Sequence, residues 1–311
     1  MMNVKSITLK QIRALAAIEK AGSLTAAAEV LNLTVPAVSA QLRALETNLD
    51  SKMLGRGPDG RPLITQEGHE VLSSAEEIEI SLRRCYQRID ALRTGKIGQI
   101  SLGVVSTAKY FAPGLVMQAR KALPGLNIDL KIGNRDDIIR ALERNEFDLT
   151  IMGRPPRLPA VSAHRLGDHP HIIIASPNHP FTKYAEVKPE ALLSETFLTR
   201  ELGSGTRILM ERFLDRIGEG TPYKIYELGT NETIKQAVIA GLGIALISAH
   251  TVTAELESGR IVSIKAAGLP LIRQWFVSHR TDRKLNPAAN QVRDFFIGLS
   301  GSFLPKPSNL G

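Results

Sequence analysis

The sequence predicts a winged helix-turn-helix domain, a long linker helix and an α/β region of two doubly wound subdomains. Three observations predict it. Residues 1–85 contain no Phe, Trp or Tyr, so a core there is built from Leu, Ile, Val and Ala, which suits small, closely packed helices. Val71, Ala75, Ile78, Leu82, Cys85, Ile89 and Leu92 then repeat at alternating spacings of four and three, a heptad seam. From residue 98 onward, strand and helix patterns alternate, the signature of parallel sheets with helices on both faces.

Thr8 caps a first helix carrying Leu9, Ile12, Leu15 and Ile18, which ends near Gly22. Ser23 caps a second, with Leu24, Ala27, Ala28 and Leu31 on one face. After the turn Asn32-Leu33, Thr34 caps a third. Pro36 falls in its first turn, where no intrahelical N–H is lost. Val38, Leu42, Leu45 and Leu49 form its buried stripe, so Pro36, Ala40 and Arg43 lie opposite, with Ser39 at the edge. Gly57-Pro58-Asp59-Gly60 marks a tight turn between Met53-Leu54 and Leu63-Ile64, a hairpin with Arg56 and Arg61 at its tip.

The linker helix closes near Gly95 and Gly98. Strands are expected at 100–105, 128–132, 148–152, 172–175, 196–199, 224–228, 244–247 and 275–278. Helices are expected at 110–123, 136–144, 206–217, 232–240 and 288–299. The expected division is 1–65 for the winged domain, 66–94 for the linker and 95–311 for the α/β region. Within the last, one subdomain takes about 95–163 and 269–311 and the other about 164–268. The chain crosses near 163–170 and returns near 265–275, an architecture like that of periplasmic binding proteins.

The 311 residues carry 39 Lys and Arg against 31 Asp and Glu, a formal charge of +8 that favours anionic partners. Residues 1–65 hold eight of these cations and five acids, so +3 lies there and +5 beyond. So small a surplus on one reader domain means few phosphate contacts, and useful affinity for DNA then needs several protomers. Without aromatics the same domain lacks a stacking platform for single strands. The one cysteine, Cys85, excludes an intrachain disulfide and suits a reducing cytosol. The start of the chain is not a secretory signal, and no apolar run is long enough to span a membrane.

Four runs, Ser23–Ala28, Thr34–Leu42, Leu45-Glu46 and Leu63–Gly68, resemble the DNA-binding domain of the LysR-type transcriptional regulators. The resemblance continues through the linker and the α/β region. It departs from the family at Leu54, where Phe is usual, and at Ala40, often larger or polar. The runs Val105–Pro113, Gly133–Arg135, Ile151–Pro156 and Arg200–Arg207 resemble the subgroup that controls carbon-fixation (RuBisCO and Calvin-cycle) operons and inorganic-carbon uptake. The resemblance implies a cytoplasmic regulator of transcription that binds double-stranded promoter DNA, pairs through residues 66–92 and forms a homotetramer. It implies signals such as phosphorylated sugars, phosphoglycolate, phosphoenolpyruvate or reduced nicotinamide nucleotides. Another metabolic operon with another effector, or a solute-binding protein, are the rival readings.

Thr34, Val35, Pro36, Ser39, Ala40 and Arg43 on the third helix, with Arg56 and Arg61 on the wing, are the candidate DNA contacts. Two openings of helices after strands, Ser106-Thr107 and Gly203-Ser204-Gly205-Thr206, offer N–H groups and hydroxyls to an anion. Lys109, Arg135, Arg154, Arg200 and Arg207 supply charge at the same strand ends, and Asn134, Glu201 and a third opening, Thr230-Asn231, complete the candidate effector site. A small anionic, phosphorylated metabolite is the expected ligand. No cofactor and no catalytic set is expected, since no nucleophile–base–orienter arrangement emerges. His164, His169, His171 and His179 are dense in sequence but lack helical metal-ligand spacing, so no metal is expected. Cys85, on the seam, is expected to be a small buried apolar residue.

Overall fold

A computed structural model describes residues 6–56, 62–94 and 98–307. The chain forms two compact units, 1–87 and 88–311, divided within the linker helix.

In the first unit, α1 (Leu9–Ala21) starts on a reciprocal cap between Thr8 and Gln11, and stops at Gly22, whose φ of 72° is left-handed. Ser23 caps α2 (Leu24–Leu31) and Thr34 caps α3 (Val35–Leu49). The core is aliphatic, with Ala14, Leu15, Ile18, Val38, Leu45 and Met53 almost fully buried. β1 (Leu54–Arg56) and β2 (Pro62–Ile64) pair antiparallel as the wing. Glu46 fixes the approach to it, accepting from the Met53 N–H at 3.0 Å and from Lys52 at 2.9 Å. The linker helix α4 runs Gln66–Thr94.

The second unit is α/β. In its first half, β3 (Gly98–Val105) lies parallel to β4 (Leu126–Gly133) and β5 (Leu149–Met152). α5 (Ala112–Ala122) and α6 (Arg135–Glu143) make the crossovers. The expected helix over 110–123 is preceded by a 3-10 turn, Ser106–Tyr110, and begins only at Ala112, where Pro113 suits the first turn.

The passage between halves differs from expectation. Instead of connecting segments near 163–170 and 265–275, two long strands make it, β6 (Val161–Ala175) and later β11 (Leu271–Arg280). They pair antiparallel over nearly their whole length, with a bulge between Trp275 and Phe276. The sheet is therefore mixed, β10-β6-β11-β5-β3-β4 with β9 also on β6. The sequence hid this because Gly167, Asp168 and Pro170 interrupt the apolar alternation of β6.

The second half adds α7 (Pro189–Ser194), β7 (Thr196–Arg200), α8 (Gly205–Gly218), β8 (Lys224–Gly229) and α9 (Asn231–Ile239). β9 (Ala245–Ser248), α10 (Thr253–Glu257) and β10 (Val262–Ile264) follow. α7, α10 and β10 are additions to the sequence reading, too short to leave a periodic signal. β7 and β8 are parallel, and Phe197 bridges to Ile244 beside β9. α11 (Pro287–Gly298) returns to cover β3. One apolar core fills the first half around Trp275, Leu102 and Phe296. Two smaller ones sandwich the strands of the second, around Phe197 and Phe213 and around Leu198 and Ile247. No described helix is long and apolar enough to cross a membrane.

Candidate nucleic-acid interface and ligand cavity

α3 presents the face that its spacing predicts. Val38, Leu42 and Leu45 are buried, whereas Thr34, Val35, Pro36, Ala40 and Arg43 are exposed and Ser39 is half-buried. The Thr34 hydroxyl accepts from the Ala37 N–H at 3.3 Å, so it is engaged in capping. Arg43 makes no ion pair among the described residues, which leaves its charge to an external anion. The side chain of Arg56 and the whole of Arg61 lie outside the described residues. Replacing Ser39 by Ala is expected to cost about 1 kcal/mol of operator affinity and to relax preference at one base position. Arg43→Ala is expected to weaken all duplexes alike and lower the salt slope by about one. Gel retardation at two salt concentrations separates the two effects.

The heptad seam divides into two stretches. Val71 packs on the first unit's core and Ala75 is buried, but Leu82 is 40% and Ile89 58% exposed, and Cys85 is exposed too. Within a single chain, then, Cys85 is not the buried apolar residue expected, because nothing of its own unit covers this stretch. The Leu92 side chain lies outside the described residues.

In the second unit, a cavity of about 180 Å³ lies between the two halves. From the first half come Val105, Ser106 and Thr107 at the end of β3, Arg135 at the start of α6, and Met152, Gly153 and Arg154 after β5. From the second come Ser204, Gly205, Thr206, Ile208, Leu209 and Arg212 on the first turns of α8. His169 and His171 on β6 and Arg273 on β11 complete the lining. Seven residues singled out in the sequence therefore meet at one place: Ser106, Thr107, Arg135, Arg154, Ser204, Gly205 and Thr206.

The chemistry of this lining is cationic. It contains four arginines and neither Asp nor Glu. Arg154, Arg212 and Arg273 form no ion pair among the described residues, and Arg135 has only Asp136, at 3.8 Å. Burial, and then the guanidiniums of Arg154 and Arg212, hold the pKa of Arg135 down against the pull of Asp136. Arg135 also lies over the N-terminus of α8: a Cβ on Gly205 would stand 3.3 Å from its Cδ. A cation laid against the positive end of a helix is unfavourable until an anion comes between them. Ser204 is the N-cap of α8, yet its hydroxyl makes no capping bond and stays available to a ligand. Gly203 sets up the turn. Its φ of +83° is left-handed, its carbonyl accepts from the Asp136 N–H at 3.3 Å, and a side chain there would meet Asp136.

The remaining candidates sit elsewhere. Arg200, 4% exposed, is saturated by the protein. It donates to both carboxylate oxygens of Glu201 at 2.7 Å, to the Gly229 carbonyl at 2.9 Å, to Asn231 Oδ1 at 2.7 Å and to Ser106 Oγ at 3.0 Å. Arg207 is likewise matched by Glu211 and Glu227. Thr230 caps α9 and Asn134 caps α6. Lys109 stands 3.4 Å from Glu232, which also accepts from the Tyr110 hydroxyl at 2.6 Å. Arg200 through Ser106, and Lys109 and Tyr110 through Glu232, tie the two halves together beside the cavity, while the partners of Arg207, Thr230 and Asn134 lie within their own half. The 3-10 turn at Ser106–Tyr110 offers hydroxyls but no helix dipole, whereas α6 and α8 both begin at the cavity, at Arg135 and Gly205.

Sequence reasoning missed His169, His171, Arg212 and Arg273 as lining residues. His169 faces Arg273 across the β6–β11 ladder, a pairing visible only once both segments are known to be strands. Among the described residues no three or more potential metal ligands are grouped.

The fold joins a winged helix-turn-helix head to an α/β domain with a cavity between its halves, and the chain belongs to the LysR family of transcriptional regulators. Residues 9–69 match the model of the bacterial regulatory helix-turn-helix proteins of the lysR family, and residues 93–299 that of the LysR substrate binding domain. The chain is 48% identical to the HTH-type transcriptional regulator CbbR of Cereibacter sphaeroides, over 98% of this chain and 99% of that one. It is 36% identical to the RuBisCO operon transcriptional regulator of Allochromatium vinosum, over 94% and 96% of the two chains. Among solved structures it is similar to the regulatory domain of Synechocystis CcmR in complex with 2-PG, with 30% identity and a TM-score of 0.62, over 65% of this chain and 97% of that one.

Proposed function

We propose that this protein regulates carbon-fixation genes, a RuBisCO operon among them, in the cytoplasm, and that a small phosphorylated metabolite held in the cavity controls it. The observation that carries the ligand class is the lining: four guanidiniums, three of them without an ion pair among the described residues, above a helix N-terminus whose capping hydroxyl makes no capping bond. A phosphate ester supplies the missing negative charge, and arginine forks suit its oxygens. The names of the relatives and the 2-PG bound to the CcmR domain support the same reading. α3 reads the major groove of promoter DNA, with Arg56 and Arg61 on the wing reaching the backbone. Residues 66–92 pair with a second copy through Leu82, Cys85 and Ile89, and α/β domains extend the dimer to a tetramer. Ligand drawing the two halves together is the allosteric step.

Isothermal titration with phosphoglycolate and phosphoenolpyruvate tests the ligand reading. At least one binds saturably, and Arg154→Ala weakens it about tenfold or more while the unliganded melting temperature stays within a degree or two, because the Arg154 side chain is exposed. Binding that is unaffected by this substitution contradicts the site.

A further inference from the structure

His169, on β6, stands apart from the other polar residues of the cavity. Its ring stacks on the Trp275 indole at 3.8 Å between centroids and lies 4.1 Å from the His171 ring. The residue is 4% exposed, and neither ring nitrogen has a hydrogen-bond partner. Its neighbours are provided for. His171 Nδ1 contacts the His169 carbonyl at 3.1 Å, and His250 Nδ1 accepts from the Trp275 indole N–H at 3.1 Å. The backbone makes room for His169 as well: a Cβ on Gly153 would come within 2.9 Å of its Nδ1.

A buried imidazole without partners is a standing cost to the fold, and a phenyl ring in the same stack avoids it. Such a cost is kept where an external group meets the nitrogens. Burial and the nearby His171 and His250 keep the ring neutral, so it carries one N–H donor and one acceptor nitrogen.

We propose that His169 is a specificity residue of this cavity: it donates its ring N–H to a carboxylate on a ligand whose phosphate is held by the arginines. This rests on the reading of the cavity as the effector site. Charge favours a second acidic group. Three of the four guanidiniums have no ion pair among the described residues; a phosphate dianion offsets two of these charges and a carboxylate the third. Size favours a compact ligand. A cavity of about 180 Å³ accommodates a small phosphocarboxylate.

His169→Phe keeps a flat ring on Trp275 and removes both nitrogens. The full-length protein and this variant are titrated with phosphoglycolate and, as the probe without a carboxylate, inorganic phosphate. The unliganded forms are melted in parallel. Phosphoglycolate affinity is expected to fall between tenfold and about a hundredfold, the range of one hydrogen bond to a charged group. Phosphate affinity stays within twofold, and the unliganded variant melts no lower than the wild type. His169→Asn, which keeps an N–H donor, recovers most of the phosphoglycolate affinity and guards against a packing defect in the phenylalanine variant. Unchanged phosphoglycolate affinity in His169→Phe overturns the proposal, and so does an equal loss for both probes. If neither probe binds the wild type, the effector reading itself fails and this inference falls with it.

Discussion

Replacing Leu82 and Ile89 by aspartate converts the protein into a monomer with little hold on operator DNA. Both side chains lie on the heptad seam and are exposed within the single chain, so the charges are harmless to its fold. In the pair, each substitution is present twice and four carboxylates enter one apolar seam. Burying an unpaired charge costs several kcal/mol, far more than a seam of this length recovers. The loss extends to DNA, because one reader domain carries only a +3 surplus and depends on a linked second domain for avidity. Operator affinity is expected to drop by about 10²–10⁴. Light scattering on the variant reads the monomer directly, and gel retardation reads the loss. A variant that stays dimeric shows that the seam is not the pairing surface.

Acid destabilises the α/β unit well before most carboxylates titrate. Burial pushes His171 down to about 3 and His250 to about 4, and His169 moves the same way. The ordinary histidine pKa is about 6.5, so below that pH the unfolded chain binds protons that the folded unit refuses. Stability is therefore complete above about pH 6.5 and is lost as the pH falls toward 4. His171 and His250 each remove about 1 kcal/mol between pH 6.5 and 5.5, before any contribution from His169. Melting curves at pH 7.5, 6.5 and 5.5 show the fall. A melting temperature that stays level to pH 5.5 places these histidines in contact with water.

The head of the molecule was legible almost residue by residue, because its signals are local. Thr8, Ser23 and Thr34 cap helices that their own sequences demand, and the Val38–Leu49 stripe fixes which face of α3 is free. Ser204 and Arg135 were legible for the same reason, each lying next to a strand end and a helix start. The misplacements are long-range. Arg200 and Arg207 look like ligand cations in sequence, but Glu201, Glu211 and Glu227 neutralise them in space. Arg212 and Arg273 look like ordinary surface charges, yet the α8 turn and the antiparallel β6–β11 pair bring them to the cavity. In the sequence His169 is one of four closely spaced histidines, with no local mark to set it apart. Its meaning depends on the Trp275 ring more than a hundred residues away.

The most direct test of the account couples its two sites. A fluorescent duplex from the region upstream of a RuBisCO operon is titrated with the full-length protein, with and without saturating phosphoglycolate, for the wild type and for Arg154→Ala. The wild type is expected to bind this duplex in preference to a scrambled one, and the ligand to shift the affinity or the anisotropy of the complex. Arg154→Ala is expected to bind the duplex equally well but to lose the shift at the same ligand concentration. A ligand effect of equal size in both proteins, or no preference for the duplex, contradicts the account.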